Sequence, residues 1–227
     1  MLLISSVLLL AAVSACDSSA TVRLPLIERP AMADTNATLV VLLTGDGGWA
    51  HADEEVAKGL RARGAAVVGL DMRAYLRTRR SPDEAAHDVG CLADAYAARW
   101  QRDRLMVLGY SRGADIAPFV VARWDDARRS RINLVALVSL STHANFQFHL
   151  IDLIRDVSRD TDVPVAPELG RLRGLRAICI YGTEEDHSGC RGADTTVITP
   201  YARDGGHRLT GGFDAIAALL ERGLHPG

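Results

Sequence analysis

The amino-acid sequence predicts an α/β domain of the α/β-hydrolase type: a mostly parallel sheet with helices on both faces and little or no lid. Three observations predict it. Leu39–Thr44, Arg104–Leu108 and Asn133–Leu140 are nearly unbroken apolar runs, as expected of strands buried on both faces. Segments with helical signals alternate with them, which is the pattern of parallel βαβ units. A serine between two glycines joins one of these strands to the next helix.

In chain order, residues 1–15 are uncharged and almost wholly apolar. The stretch is too short to span a membrane and reads as an export signal peptide. Val13-Ser14-Ala15-Cys16 resembles the bacterial lipobox, so Cys16 is expected to be lipidated and the chain to be a periplasmic lipoprotein held at the inner-membrane surface by its anchor. Residues 16–36 read as a tether with one short edge strand, Thr21–Ile27, interrupted by Pro25 and Pro30. The domain proper covers 37–227. After Leu39–Thr44 come the loop Gly45–Trp49, a helix ending near Arg63-Gly64 and a strand Ala65–Leu70. Ser81-Pro82-Asp83-Glu84 starts a helix, with Ser81 as N-cap, Pro82 in the first position and Glu84 three residues on. That helix runs to about Trp100, and another covers Arg112–Trp124. Leu175–Tyr181 and Thr195–Thr199 are further strands, and Gly212–Arg222 is a closing amphipathic helix. Between Ser141 and Gly174 the pattern is irregular, with one amphipathic piece over Phe146–Val157.

Composition narrows the function. Of 227 residues, 48% are apolar and 24% charged, enough for one packed domain and wrong for a disordered chain. There are 26 basic and 28 acidic side chains, net charge -2, so no overall basic surplus points to nucleic acid or a membrane surface. No cofactor is expected, because Gly45–Trp49 lacks both the Lys-Ser/Thr of a P-loop and the G-x-G-x-x-G spacing. No metal is expected either: Cys179, His187 and Cys190 lack a fourth ligand. Cys179 and Cys190 close the shortest loop available to a disulfide in an oxidising compartment.

Gly109-Tyr110-Ser111-Arg112-Gly113 matches G-x-S-x-G directly after a strand and before a helix, the context a nucleophile elbow requires. A hydroxyl is a weak nucleophile and needs a base oriented by an acid. The order Ser, acid, His makes His207, after Gly205-Gly206 and before the last helix, the expected base. The acid is expected in the loop Thr183-Glu184-Glu185-Asp186. Asp is the commoner acid of such triads, favouring Asp186, whereas a Gly-x-x-acid spacing favours Glu185. Oxyanion donors are expected at the Arg112 amide and at amides of Gly47 and Gly48.

Thr44-Gly45-Asp46-Gly47-Gly48-Trp49, Gly109–Asp115 with Pro118-Phe119, and Gly205-Gly206-His207 together resemble the VirJ family of bacterial virulence proteins, which includes AcvB. The resemblance covers roughly residues 22–222. It implies a periplasmic serine hydrolase that removes the aminoacyl group of aminoacylated phosphatidylglycerol, especially the lysyl form. Asp46, Trp49 and Asp115 are then expected to contact substrate. Arg112 departs from the smaller or aromatic residue expected at its position. A generic carboxylesterase, or a non-catalytic periplasmic adaptor for secreted virulence proteins, remains a second expectation.

Overall fold

The computed structural model describes residues 16, 24–33, 35–153, 157–208 and 211–224. The expected signal peptide, and the start of the expected edge strand, lie outside the described residues.

Seven strands form one sheet: β1 (Leu26–Arg29), β2 (Thr38–Leu43), β3 (Ala66–Leu70), β4 (Arg104–Tyr110), β5 (Ile132–Val138), β8 (Ala177–Gly182) and β9 (Thr199–Arg203). Their order is β1-β3-β2-β4-β5-β8-β9, with β1 antiparallel and every other pair parallel. The helices are α1 (His51–Ala62), α2 (Met72–Tyr75), α3 (Pro82–Arg99), α4 (Arg112–Ala122), α5 (Asp126–Arg129), α6 (Ala166–Gly170) and α7 (Phe213–Leu224). A two-stranded ribbon, β6 (His143–Ala144) with β7 (Val163–Pro164), stands apart from the main sheet.

Alternation along the strands builds two cores, one on each face. Leu39, Val41 and Leu43 of β2 face Val89 and Leu92 of α3 and Phe119 of α4. Val40 and Leu42 face Val56 and Leu60 of α1 and Ile216 and Leu220 of α7. The expected capping box closes α3: the Glu84 amide donates to Ser81 Oγ at 3.1 Å and the Ser81 amide to Glu84 Oε2 at 2.7 Å. On the other face α1 and α7 cross closely, since a Cβ on Gly59 would lie 2.6 Å from that of Ala217.

Three expectations shift. The edge strand sits later, at Leu26–Arg29, where it pairs with β3. The sixth expected strand, Thr195–Thr199, is replaced by Thr199–Arg203. Asp194 turns the chain just before it: its carboxylate accepts from the Thr196 amide at 2.9 Å and from the Thr196 hydroxyl at 2.7 Å. Val197 and Ile198 are buried in that turn rather than in a strand. The amphipathic piece at Phe146–Val157 forms a single 3-10 turn, Leu150–Leu153, with residues 154–156 outside the described ones.

Cys179 and Cys190, the pair that closes the shortest loop, are bonded to each other. Cys16, the expected lipidation site, is bonded to Cys91 on α3. One sulfur cannot carry both a disulfide and a lipid thioether, so the bonded and the acylated forms of Cys16 exclude each other.

The tight α1–α7 crossing gives a stability test. Gly59→Leu forces those helices apart, and overpacking of this kind costs about 1–3 kcal/mol. Urea unfolding should show a lower midpoint at an unchanged slope.

Candidate active site

Everything at the site follows from one sharp turn. Ser111, between β4 and α4, has φ 50° and ψ −117°, a left-handed conformation that a non-glycine residue adopts only when its surroundings impose it. The surroundings are tight. A Cβ on Gly109 would strike the backbone of Gly113 and Ala114, and a Cβ on Gly113 would strike the backbone of Leu43. Both flanking glycines of the motif are therefore required by packing, and the turn holds the Ser111 hydroxyl at the carboxyl end of the sheet.

His207 meets it there: Ser111 Oγ and His207 Nε2 are 2.8 Å apart. His207 comes from the loop after β9, and the acid loop after β8 lies against that loop. Gly182 has no room for a side chain because the carbonyls of Gly205 and Gly206 stand against it. The Thr183 amide donates to Arg203 O at 2.8 Å and the Glu184 amide to Gly205 O at 3.0 Å. Ser139, at the end of β5, donates its hydroxyl to the His207 carbonyl at 2.7 Å.

The acid is Glu185. Its Oε2 lies 3.7 Å from His207 Nδ1, within the looseness that catalytic hydrogen bonds show before substrate binds. Its Oε1 accepts from the Gly182 amide at 2.9 Å. Burial alone would raise its pKa, but His207 and the hydrogen bond from the Gly182 amide outweigh this and hold it below the ordinary carboxylate value. Asp186 lines the cleft without reaching His207, so the preference for Asp at this position is corrected by the spacing from Gly182.

Ser111 opens into a cleft of about 590 Å³. Arg112 forms its floor, only 8% exposed. The guanidinium forks onto Asp46, with Nε 3.0 Å from Oδ1 and Nη2 2.9 Å from Oδ2, and also reaches Asp152 Oδ2 at 3.1 Å. Asp152 in turn holds Arg159 at 2.5 Å. Burial disfavours the Arg112 charge, but these carboxylates more than restore it, raising its pKa above the ordinary value. The unusual residue after the nucleophile is thus locked into the floor and leaves the entrance clear.

Other expected contacts fall elsewhere. The Gly48 amide donates to Gly45 O at 3.0 Å, so it is spent inside its own turn and is no oxyanion donor. Gly47 lies at the exposed tip of that turn, and the loop comes closest to the nucleophile at Gly45, where a Cβ would be 3.3 Å from that of Ser111. Trp49 turns away: its indole donates to Glu54 at 2.8 Å and its ring packs over Gly69. Asp115 sits at the bottom of the cleft, 4% exposed, and accepts from the Ser141 amide at 2.8 Å, a structural bond rather than a substrate contact. Burial pushes its pKa to about 7, although Arg112, the Ser141 amide and His207 pull the other way. Asp152, Arg159 and Ser139 carried no motif in the sequence, and only the folded chain brings them here. The described residues hold no cluster suited to a metal ion.

Two predictions follow from this geometry. Glu185→Gln should lower kcat by about 10³- to 10⁴-fold, because it leaves His207 without its orienting carboxylate, whereas Asp186→Asn should keep kcat within a few-fold. Steady-state kinetics on one ester decides between them. Asp115 has a folded pKa above its unfolded one, so it binds its proton more tightly in the native state, and stability should fall as pH rises from about 4 to 7. Asp115→Asn, which keeps the acceptor for Ser141, should flatten that slope in urea midpoints measured across the range.

Solved structures share this architecture at low sequence identity. Est1E from Butyrivibrio proteoclasticus with ferulic acid bound aligns with TM-score 0.60 and 10% identity over 88% of this chain and 93% of its own. TT1662 from Thermus thermophilus aligns with TM-score 0.61 and 17% identity, covering 90% and 95%. The type II thioesterase BorB from the borrelidin biosynthetic cluster aligns with TM-score 0.60 and 18% identity, covering 88% and 97%. No curated protein matches the sequence. The family described as bacterial virulence protein (VirJ) matches residues 37–226, nearly all of the domain. The fold is that of the α/β-hydrolases, and the chain belongs to the VirJ family.

Proposed function

We propose that the protein is a periplasmic serine hydrolase that cleaves the aminoacyl ester of a cationic aminoacylated phospholipid, lysyl-phosphatidylglycerol being the expected form. The observation that carries this reading is the sign of the cleft around Ser111. Seven carboxylates line it (Asp46, Asp115, Asp152, Asp162, Glu184, Glu185 and Asp186) against three guanidinium groups, Arg112, Arg159 and Arg208. Asp46 and Asp152 are tied to arginines, Glu185 to His207, Asp115 to the Ser141 amide, and Asp162 to Asn145 and the Arg159 amide, which leaves Glu184 and Asp186 to face a substrate ammonium. A negative site of this kind favours an ester whose acyl part is positively charged. Two disulfides support an oxidising compartment.

The chemistry follows from the distances. His207 Nε2 takes the proton of Ser111 as Oγ attacks the ester carbonyl, and Glu185 stabilises the imidazolium that forms. The carbonyl oxygen becomes an anion. The Arg112 amide, first in α4 and without an acceptor inside the helix, is placed to receive it, together with a loop amide at Gly45-Asp46. Collapse breaks the ester C–O bond, and His207 protonates the departing glycerol oxygen of phosphatidylglycerol. Water, deprotonated by His207, then attacks the acyl-enzyme and releases the amino acid.

Incubation with lysyl-, alanyl- and unmodified phosphatidylglycerol, with measurement of the released amino acid, tests the reading. Lysine release is expected, and none should occur with Ser111→Ala. Because the two residues act as a unit, Ser111→Ala, His207→Ala and the double variant should lose similar, non-additive amounts of activity. Glu184→Gln with Asp186→Asn should raise KM for the lysyl ester while leaving an uncharged ester unaffected. Inertness of the wild type toward every aminoacyl ester would favour the adaptor role instead.

A further inference from the structure

A basic and apolar lip adjoins the cleft. Residues 73–80 contain four arginines and no carboxylate. This segment is joined to the stretch that leads into the cleft wall: the Arg80 amide donates to Phe146 O and the Phe148 amide to Leu76 O, both at 2.9 Å. The Arg73 guanidinium lies 5.6 Å from the centre of the Phe148 ring. Arg79 and Arg80 share a recess of about 380 Å³ with Asn145 and Val163, and Asn145 also lines the catalytic cleft. Among the described residues, none of the four arginines makes an ion pair. Glu84, which feels the charge of Arg80, is committed to the Ser81 amide.

Apolar side chains stand on the same lip. In the turn Leu150–Leu153, Asp152 is held inward by Arg112 and Arg159, while Leu150 is 70% and Ile151 37% exposed. Val163 is also 37% exposed. Only two other large apolar residues among those described are as exposed, Met32 and Tyr201.

We propose that this lip docks on an anionic phospholipid bilayer and so presents a lipid-borne ester to Ser111. The inference rests on the reading of the site as an ester hydrolase acting on a phospholipid. Unpaired arginines are drawn to an anionic leaflet and fork onto lipid phosphates, and leucine, isoleucine and valine beside them enter the boundary between headgroups and acyl chains. Set apart from the four arginines, the remaining residues carry a net charge of -2 - 4 = -6, which favours turning the arginine lip toward an anionic lipid surface. No helix among the described residues is long and apolar enough to cross a membrane, so contact of this kind is peripheral. With Cys16 bonded to Cys91, the lip supplies a membrane contact that does not depend on acylation.

Sedimentation of the full chain with vesicles of phosphatidylglycerol and phosphatidylcholine, or of phosphatidylcholine alone, tests the proposal. Binding through the apolar residues 1–15 is common to both vesicles, so the difference between them reports the lip. The anionic vesicles should bind more tightly, and salt should weaken that preference. Each arginine at the surface contributes about five-fold, so Arg77→Gln with Arg79→Gln should lower binding to anionic vesicles by more than about tenfold. Leu150→Ser should weaken it independently. Both variants should hydrolyse a water-soluble lysine ester at the wild-type rate, which establishes that they fold and that the triad is intact. Wild-type binding indifferent to phosphatidylglycerol overturns the proposal, and so does unchanged binding by the arginine variant. Failure of the wild type on the soluble lysine ester overturns the hydrolase reading, whatever the vesicles show.

Discussion

The contact on which the site depends is the approach of Gly113 to the backbone of Leu43. It sets the start of α4 against the end of β2 more closely than any side chain permits. The strand–helix turn must then close within a single residue, and that residue is Ser111 at positive φ. The same contact brings the loop after β2 beside the nucleophile and the first amides of α4 to the carbonyl position. A helix N-terminus and a backbone loop are thereby preplaced where negative charge develops, which is the least costly form of transition-state stabilisation. Strain at Ser111 is held by packing on both sides, from Gly109 as well as from Gly113.

The second constraint is electrostatic. Burying the Arg112 guanidinium removes it from water, and buried ion pairs are often no more stabilising than apolar residues of similar size. Arg112 is kept charged by Asp46 and Asp152, and Asp152 in turn carries Arg159. The network joins the loop after β2, the first turn of α4 and the 3-10 turn into one wall. Loss of one partner leaves an uncompensated charge, so these segments hold their relative positions as a unit. The segment after β5 is too small to shut the cleft, yet through Asp152 it completes the wall.

Much of this was legible in the sequence, for identifiable reasons. Strands buried on both faces show as apolar runs, and Ser81-Pro82-Asp83-Glu84 announces its helix because capping is local chemistry. Ser111 and His207 were readable because their loops are marked by glycines that packing requires. The acid was ambiguous because three consecutive carboxylates occupy one loop, and only the stitching of that loop to Gly205 and Gly206 turns Glu185 inward. Trp49 and Asp115 looked like pocket residues because they neighbour the motifs. Each is claimed by a partner distant in sequence, Gly69 for the one and Ser141 for the other. Asp152 and Ser139 left no local mark at all. The partner of Cys16 was unreadable for the same reason: Cys91 is 75 residues away.

The charge pattern around the opening is divided. Carboxylates dominate the interior of the cleft, while residues 73–80 place arginines on the adjoining lip, with Asn145 touching both regions. Opposite signs so close together would partly neutralise each other in an undifferentiated surface, but here the two sets have different surroundings. Inside, Asp46, Asp152 and Glu185 are tied to Arg112, Arg159 and His207, and on the lip Arg77 and Arg79 are exposed to water. A molecule with a cationic end and an anionic end can satisfy both regions at once, whereas a uniformly charged one is repelled by one of them. The division therefore selects for polarity as well as charge, and fixes which end of such a molecule enters toward Ser111.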